Sequence, residues 1–138
     1  MADVRFEVRP IGYVRSPLTD PDLAPRQGDE GSPQAWLVID PTLRIGIGNL
    51  RVGEVVLVLT WLHRARRDSL ATHPRNDPDR PEVGVFSTRS PHRPNPIGLH
   101  RVRIVSIDDT AIGVQDLEAV DGTPVVDIKP VLGPLDER

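Results

Sequence analysis

Proline and glycine are the residues that most restrict the fold of this chain, because they interrupt it at short intervals. Fifteen prolines and eleven glycines are distributed over 138 residues. Proline fixes φ and removes a backbone donor, and glycine weakens helices and strands from within. No long amphipathic helical repeat fits between these interruptions. The pattern therefore favours a fold assembled from short strands.

Seven short apolar segments have the composition or the alternation of β-strands. Residues 54–62 are rich in β-branched side chains and apolar on both faces, which predicts a central strand. The pair Asp108-Asp109 predicts a hairpin turn, and Asp121-Gly122 is a dipeptide that commonly closes tight hairpins. The other strand segments are residues 6–14, 35–39, 83–88, 97–107, 111–117 and 125–131.

The strand spacing indicates a mainly β protein with little helix, whose antiparallel sheet curls into a barrel or a sandwich. The length fits a single domain over residues 1–138. Residues 18–33 and 64–81 are rich in proline and charged side chains. We expect both segments to be long surface loops, and loops of this length are often functional.

Several classes of function are excluded by what the sequence lacks. There is no cysteine for disulfides, thiolate ligands or a thiol nucleophile. The four histidines lack the spacing of a metal site, and no glycine-rich motif of a Rossmann fold or a P-loop is present. Neither a signal peptide nor an apolar stretch of membrane-spanning length occurs. We therefore expect a soluble, cytoplasmic protein without a metal and without a membrane partner.

The charges are unevenly distributed along the chain. The net charge is −3, but residues 61–103 contain nine arginines against four acidic residues, a local charge of +5 that leaves −8 for the rest. All four histidines lie in the same stretch. Such polarity allows one face to attract phosphate while the other repels it. A solvated arginine-rich loop without a partner is the alternative.

Residues 84–99, with the sequence GVFSTRSPHRPNPIGL, are the most informative segment. Three prolines within six residues stiffen its middle and leave few backbone donors. Arg89 and Arg93 can present planar guanidinium groups to a carboxylate or phosphate, and Asn95 offers a donor and an acceptor to an adenine edge. The alternative is a proline-stiffened turn with solvated arginines.

Four segments together resemble the TsaA-like domain of the TrmO family. Members of this family are S-adenosyl-L-methionine-dependent methyltransferases that act on threonylcarbamoyladenosine in tRNA. The resemblance implies an antiparallel β-barrel, a homodimer, and N6-methylation of the modified adenosine next to the anticodon. The tRNA anticodon stem-loop is then the expected partner. The segments are IGYVRSP at 11–17, APRQ at 24–27, residues 84–99 with the core TRSPHRPNPIG, and DGTPVVDIKP at 121–130.

The same resemblance implies a cofactor site drawn from two loops and the ends of two strands. An arginine, Arg26 or Arg89, would hold the carboxylate of the cofactor, and Asp116 or Glu118 would accept from its ammonium group or its ribose hydroxyls. The residues that match the family's cofactor site are Pro25, Arg26, Gln27, His63, Arg64, Arg89, Leu99, Gln115, Asp116, Leu117 and Glu118.

Three residues are candidates for the methyl-transfer step. Asp127 and Lys129 face the same side of a strand, so they can form an ion pair or bind substrate together. Methyl transfer depends mainly on alignment, but a proton must leave the exocyclic nitrogen, and Asp127 or His92 is the candidate base. Asn95 is the candidate for contacting the substrate.

Two departures from the family pattern bear on the methyl acceptor. The sequence VLG at 131–133 follows the lysine-proline pair, where relatives often carry an aromatic residue, and the sequence ends at Arg138, whereas many bacterial members continue into a further domain. The first hypothesis is a tRNA methyltransferase. The second is an enzyme of the same fold that acts on a small molecule or peptide. The third is a binding module that senses S-adenosyl-L-methionine without turnover.

Overall fold

The computed structural model describes residues 3–20 and 34–133, apart from the side chain of Asn76. Within these residues no helix is long and apolar enough to cross a membrane. Three short 3₁₀ helices span Pro41–Ile47, Pro74–Asn76 and Val85–Ser87. The strands are β1 (Gly12–Arg15), β2 (Ala35–Ile39), β3 (Val55–Trp61), β4 (Ala71–Thr72), β5 (Val83–Gly84), β6 (Ile97–Asp108), β7 (Ala111–Gln115) and β8 (Pro124–Pro130).

Six strands form one antiparallel sheet in the order β1-β2-β7-β6-β3-β8, and its two ends meet to close a barrel. The mainly β, antiparallel architecture predicted from the sequence is confirmed. β3 is paired on both sides, with β6 and with β8, as its apolar composition predicts for a central strand. β4 and β5 form a separate two-stranded ribbon outside this sheet.

The barrel interior is filled by the inward-facing side chains of alternate strand residues. In β3, Val56 and Val58 are buried, and Val102 and Ile104 are buried opposite them in β6. The outward-facing residues of the same strands are partly or fully exposed. The interior is therefore almost wholly aliphatic, which makes its few polar members conspicuous.

The barrel closes through a narrow seam. β1 pairs with β8 only through Gly12 opposite Val125 and Tyr13 opposite Pro124. The 3₁₀ helix Pro41–Ile47 lies next to the seam, where it and the strand ends line an open apolar pocket of about 420 Å³ bordered by Asp127 and Ile128. No sequence pattern predicted this helix. Its start is fixed by Asp40, whose carboxylate accepts from the backbone N–H of Thr42 at 2.9 Å.

Two predicted strands are shorter than expected. Of residues 6–14, only those from Gly12 onward are in a strand, because residues 3–10 are exposed and pair with no other strand of the described chain. Of residues 83–88, only Val83–Gly84 is in a strand, and a 3₁₀ helix follows. Thr88 ends that helix, since its hydroxyl donates to the carbonyl of Val85 at 2.9 Å.

The two predicted turns have different outcomes. The turn at Asp108-Asp109 joins β6 to β7 as a hairpin, with Asp109 at φ 53°. Asp121-Gly122 also forms a turn, and Gly122 has φ 82°. The prediction that this second turn closes a hairpin was wrong, because β7 pairs with β2 and β6, whereas β8 pairs with β3 and β1. Residues 116–123 cross from one strand pair to the other.

Candidate functional site

The outer face of β6, β3 and β8 brings two predicted site residues into one row. Leu99 lies opposite Leu59 in β6 and β3, and Leu59 lies opposite Asp127 in β8. Strands are separated by about 4.8 Å, so this row spans about 10 Å. Leu99 is 44% exposed. The row presents an apolar surface with a carboxylate at one end.

The segment at residues 88–96 is fastened to the end of β3 by Arg67. The guanidinium of Arg67 donates to the carbonyl of Pro94 at 2.7 Å and to Oδ1 of Asn95 at 3.0 Å. It also lies 5.1 Å from the centre of the Trp61 ring. This set of contacts uses the planar, multidentate character of arginine. Because Oδ1 is occupied, Asn95 presents its amide N–H groups to solvent.

The ring of His92 is oriented by a backbone group. Its Nδ1 accepts a hydrogen bond from the N–H of Arg66 at 3.0 Å. In a neutral imidazole one nitrogen accepts and the other carries the proton. Nε2 of neutral His92 therefore carries the proton, so that this atom is a donor. The geometry does not favour His92 as the base, and it adds a second donor beside Asn95.

The arginines of this region differ in how they are engaged. Arg93 donates to the carbonyls of Thr88 and Ser90, which stabilises the bend. Arg64 donates to the carbonyl of Thr19 at 2.9 Å and so connects the end of β3 with the segment that leads towards residues 25–27. Arg89 is exposed and makes no hydrogen bond or ion pair within the described residues. Arg89 is thus available for an anionic ligand.

The last residue of β7 and the residues after it provide acceptors. Gln115 and Asp116 are exposed, and Asp116 adopts φ 71° at the point where the strand ends. Leu117 is fully buried in the core, so its side chain packs within the barrel and only its backbone can reach a ligand. The side chain of Glu118 is 18% exposed, and its Oε1 lies 2.6 Å from Nδ1 of His100.

His100 and Thr60 form a polar chain with Glu118 that the sequence analysis missed. Nε2 of His100 lies 2.6 Å from Oγ1 of Thr60, and both residues are buried inside the barrel. The alternation of β6 contained the signal. His100 falls on the inward phase with Gly98 and Val102, where a large polar side chain requires a partner.

Asp127 has its own contacts on β8. Its carboxylate forms an ion pair with Lys129 at 3.1 Å and accepts from the backbone N–H of Ile128 at 2.9 Å. The ion pair anticipated from the spacing of 127 and 129 is therefore present. His63 is exposed just beyond β3. Pro25, Arg26 and Gln27 lie outside the described residues.

Donors and acceptors are segregated around β6. The segment before the strand contributes the donors of His92 and Asn95. Glu118 contributes a carboxylate, which is hydrogen-bonded to His100, the fourth residue of β6. The described residues contain no cluster of three or more histidine, aspartate or glutamate side chains that could hold a metal ion. These groups offer donors to the acceptors of an organic ligand and a carboxylate to its hydroxyl or ammonium groups.

Comparison with known proteins gives consistent similarities. The profile of the tRNA-methyltransferase O N-terminal domain matches residues 13–137. A probable S-adenosyl-L-methionine-binding protein of Methanothermobacter thermautotrophicus is 40% identical over 136 residues, which cover 99% of this chain and 97% of that protein. A probable S-adenosyl-L-methionine-binding protein of Archaeoglobus fulgidus is 42% identical over 130 residues, which cover 94% of this chain and 35% of that protein.

Solved structures show the same similarity. A crystal structure of TrmO from Pseudomonas aeruginosa superimposes with a TM-score of 0.78 at 29% identity, covering 98% of this chain and 60% of that protein. A second TrmO crystal structure from this source gives a TM-score of 0.67 at 30% identity, covering 92% and 55% respectively. The chain thus spans less than two thirds of the TrmO proteins and about a third of the A. fulgidus relative.

Proposed function

The chain belongs to the family of the tRNA-methyltransferase O N-terminal domain, and we propose from this premise that it is an S-adenosyl-L-methionine-dependent methyltransferase acting on tRNA. The proposed reaction is N6-methylation of threonylcarbamoyladenosine next to the anticodon. The observation that carries the proposal is the arrangement around β6. The donor-rich segment at 88–96 leads directly into this strand, which contains Leu99 and then His100, the residue that is hydrogen-bonded to Glu118.

The residues at this site fit the chemistry of the cofactor. The unengaged guanidinium of Arg89 suits a carboxylate, and the free carboxylate of Asp116 or the outer oxygen of Glu118 suits an ammonium group or ribose hydroxyls. The half-exposed Leu99 offers apolar contact for the adenine. When bound, the cofactor supplies a methyl group attached to a positively charged sulfur.

The contribution of the chain to methyl transfer is mainly alignment. Asn95, oriented by Arg67, donates to an acceptor atom of the modified base. The acceptor nitrogen would form a bond to the methyl carbon and release a proton, while the methyl–sulfur bond would break with its electron pair left on sulfur as a neutral thioether. Asp127 takes up this proton in the proposed mechanism, because its carboxylate can accept it, whereas Nε2 of neutral His92 already carries one.

The proposed partner is the anticodon stem-loop of tRNA, which would meet the arginine-rich side of an otherwise acidic protein. Arg66, Arg89 and Arg101 are exposed in this part of the chain. The interaction with phosphate is electrostatic, so it should weaken steeply as salt is added. A small-molecule methyltransferase would show no such salt dependence, and a non-catalytic sensor would form no methylated product.

The proposed assembly is a homodimer that places two basic segments side by side. Its support is exposed apolar surface next to the two-stranded ribbon: Leu70, just before β4, is 68% exposed, and Phe86, in the 3₁₀ helix after β5, is 80% exposed. The backbones of the two residues come close together, since the carbonyl of Leu70 accepts from the N–H of Val85, the residue before Phe86, at 3.0 Å. Sedimentation should give a dimer for the native chain and a monomer for Phe86→Ser.

The decisive experiment is transfer of a radiolabelled methyl group from S-adenosyl-L-methionine to tRNA isolated from cells that lack the protein. We expect label in a nucleoside derived from threonylcarbamoyladenosine. tRNA that lacks the threonylcarbamoyl group is the matched control and should remain unlabelled. Cofactor binding without label in tRNA, but with label in a small molecule or peptide, would replace the tRNA with another acceptor. Binding without any product would leave only the sensor.

A further inference from the structure

A chain of two short hydrogen bonds crosses the aliphatic interior of the barrel. Oγ1 of Thr60 and Nε2 of His100 are 2.6 Å apart, and Nδ1 of His100 is 2.6 Å from Oε1 of Glu118. Thr60 is 0% exposed and His100 is 4% exposed. Buried polar groups cost free energy that aliphatic side chains of similar size avoid. The hydrogen-bond chain of Thr60, His100 and Glu118 therefore points to a role beyond filling the core.

The direction of both hydrogen bonds follows from the chemistry of the carboxylate. An ionised carboxylate only accepts, so Nδ1 of His100 donates to Glu118. In the neutral ring Nε2 is then the acceptor, and it receives the hydroxyl proton of Thr60. Glu118 thereby fixes the tautomer, and the hydroxyl of Thr60 holds the orientation of the ring, much as a partner of the second nitrogen does for metal-bound or catalytic histidines.

The hydrogen-bond chain holds one carboxylate oxygen of Glu118 and leaves the other available for a ligand. Oε1 is bound to His100, whereas Oε2 has no hydrogen-bond partner in the described part of the protein. The Glu118 side chain is 18% exposed, so Oε2 is on the side that solvent can reach. Glu118 also lies outside any strand, on the segment that crosses away from β7. Its carboxylate depends on His100 for its orientation.

Gly98 provides the space for this chain. A Cβ atom at Gly98 would overlap Oγ1 of Thr60 and Nε2 of His100. Gly98 pairs directly with Thr60 across β6 and β3, so any side chain there would push the ring out of place. Glycine at this position of the NPIGLH sequence is thus explained by the ring of His100.

We infer that His100 is a positioning residue, which orients the Glu118 carboxylate towards the cofactor through a hydrogen-bond chain that starts at Thr60. The inference rests on the proposed function, because it takes S-adenosyl-L-methionine as the ligand whose donors Oε2 meets. His100 itself does not touch the ligand. The hydrogen-bond chain instead links the barrel interior to the cofactor site and makes the site rigid before the cofactor binds.

Two substitutions of His100 separate positioning from packing. The amide nitrogen of asparagine is as many bonds from Cα as Nδ1 of histidine, whereas that of glutamine matches Nε2. His100→Asn therefore retains a donor for Glu118, and His100→Gln retains only the contact with Thr60. We expect calorimetry to show cofactor binding about tenfold weaker in His100→Gln than in His100→Asn, the usual effect of losing one charge-assisted hydrogen bond. Melting temperatures should fall similarly in both variants.

The tautomer of His100 gives an independent measurement on the wild-type protein without ligand. Nitrogen NMR of the ring should show the proton on Nδ1 and none on Nε2, and Thr60→Val should alter this signal. A proton on Nε2 would overturn the inference, as would equal cofactor affinity in the two variants. Failure of the wild type to bind S-adenosyl-L-methionine would overturn the proposed function, and with it the ligand assigned to Glu118, even if the tautomer is as expected.

Discussion

Arg67 donates from Nη2 to Oδ1 of Asn95 across 3.0 Å, and this contact decides which side of the Asn95 amide faces outward. The same guanidinium holds the carbonyl of Pro94 and stacks on Trp61. Two irregular segments, one after β3 and one before β6, are thereby joined by a single side chain. In the proposed complex the substrate would therefore meet the amide N–H groups of Asn95 rather than its oxygen.

Asn95 can be tested by separating its acceptor from its donors. Asn95→Asp keeps an oxygen for Arg67 but loses both N–H groups, and Asn95→Ala loses everything. We expect methyl transfer to fall about tenfold in each variant, because both lack the outward donor. We expect only Asn95→Ala to lower the free energy of unfolding, by about 1 kcal/mol. Steady-state kinetics and urea denaturation measure the two effects. Full activity in Asn95→Asp would show that the donors of Asn95 are not used.

Arg67 is expected to be structural in spite of its charge. Arg67→Lys keeps the charge but cannot donate to two acceptors while stacking on Trp61. The free energy of unfolding should decrease by about 1 kcal/mol. Arg66→Lys is the matched control, since the Arg66 side chain makes only a loose ion pair with Asp68 at 3.8 Å in the described part of the chain. Its effect should stay within about 0.5 kcal/mol. Equal effects of the two substitutions would contradict this role.

His92 should not act as the base. His92→Gln places an amide donor near the former Nε2, so it retains the outward donor but removes any group that could take up a proton. Activity should remain within about threefold of wild type, whereas losing a general base usually costs a factor of about 100 to 10,000. The rate is best measured across the full pH range. A loss of that size in His92→Gln, together with the loss of one limb of the pH profile, would restore His92 as the base.

The sequence was most informative where alternation and turn chemistry act locally. Ala35–Ile39 and the start of β6 at Ile97 were placed correctly because one apolar face is buried along each strand. The paired aspartates at 108–109 likewise identified the hairpin, since aspartate tolerates the left-handed conformation that Asp109 adopts.

Long-range pairing could not be predicted in the same way. The path of residues 116–123 between two strand pairs depends on how the barrel closes, which no local pattern encodes. The Thr60, His100 and Glu118 chain joins residues that are 40 and 18 positions apart. The structural role of Arg67 was likewise not predicted, because the sequence shows only one of several arginines in a predicted surface loop, whereas its partners lie 27 and 28 residues away.

The ion pair between Arg44 and Asp109 should give a small stabilisation that disappears in acid. Arg44 donates to both carboxylate oxygens at 3.0 and 2.9 Å, and these hydrogen bonds lower the pKa of Asp109 below its ordinary value of 3.8. A lowered folded-state pKa stabilises the fold above the ordinary value and ceases to do so as pH falls through the lowered one. Both side chains are exposed, so the effect should be small and reduced by salt.

Asp109→Asn tests this pair while keeping a residue that tolerates positive φ. We expect its melting temperature to lie slightly below that of wild type at pH 7. The difference should shrink as the pH is lowered past 3.8, the ordinary pKa of Asp109. Thermal unfolding followed over a pH series measures it. A difference that persists unchanged into strong acid would show that the carboxylate charge is not its origin.

The role of the arginine-rich stretch can be tested by reversing one of its charges. Arg66 is exposed, and within the described residues its side chain makes only the loose contact with Asp68. If Arg66 meets a phosphate of the tRNA, Arg66→Glu should weaken tRNA binding and reduce the slope of log affinity against log salt by about 0.7 to 0.9. The affinity for S-adenosyl-L-methionine should change by less than about 1 kcal/mol, because the charge lies outside the proposed cofactor site.

Arg5→Glu is the matched control, since Arg5 is also exposed and paired with a nearby aspartate, Asp3, but lies outside the arginine-rich stretch. An identical salt slope in Arg66→Glu and Arg5→Glu would place the tRNA elsewhere, and the absence of any salt dependence in the wild type would favour a small methyl acceptor.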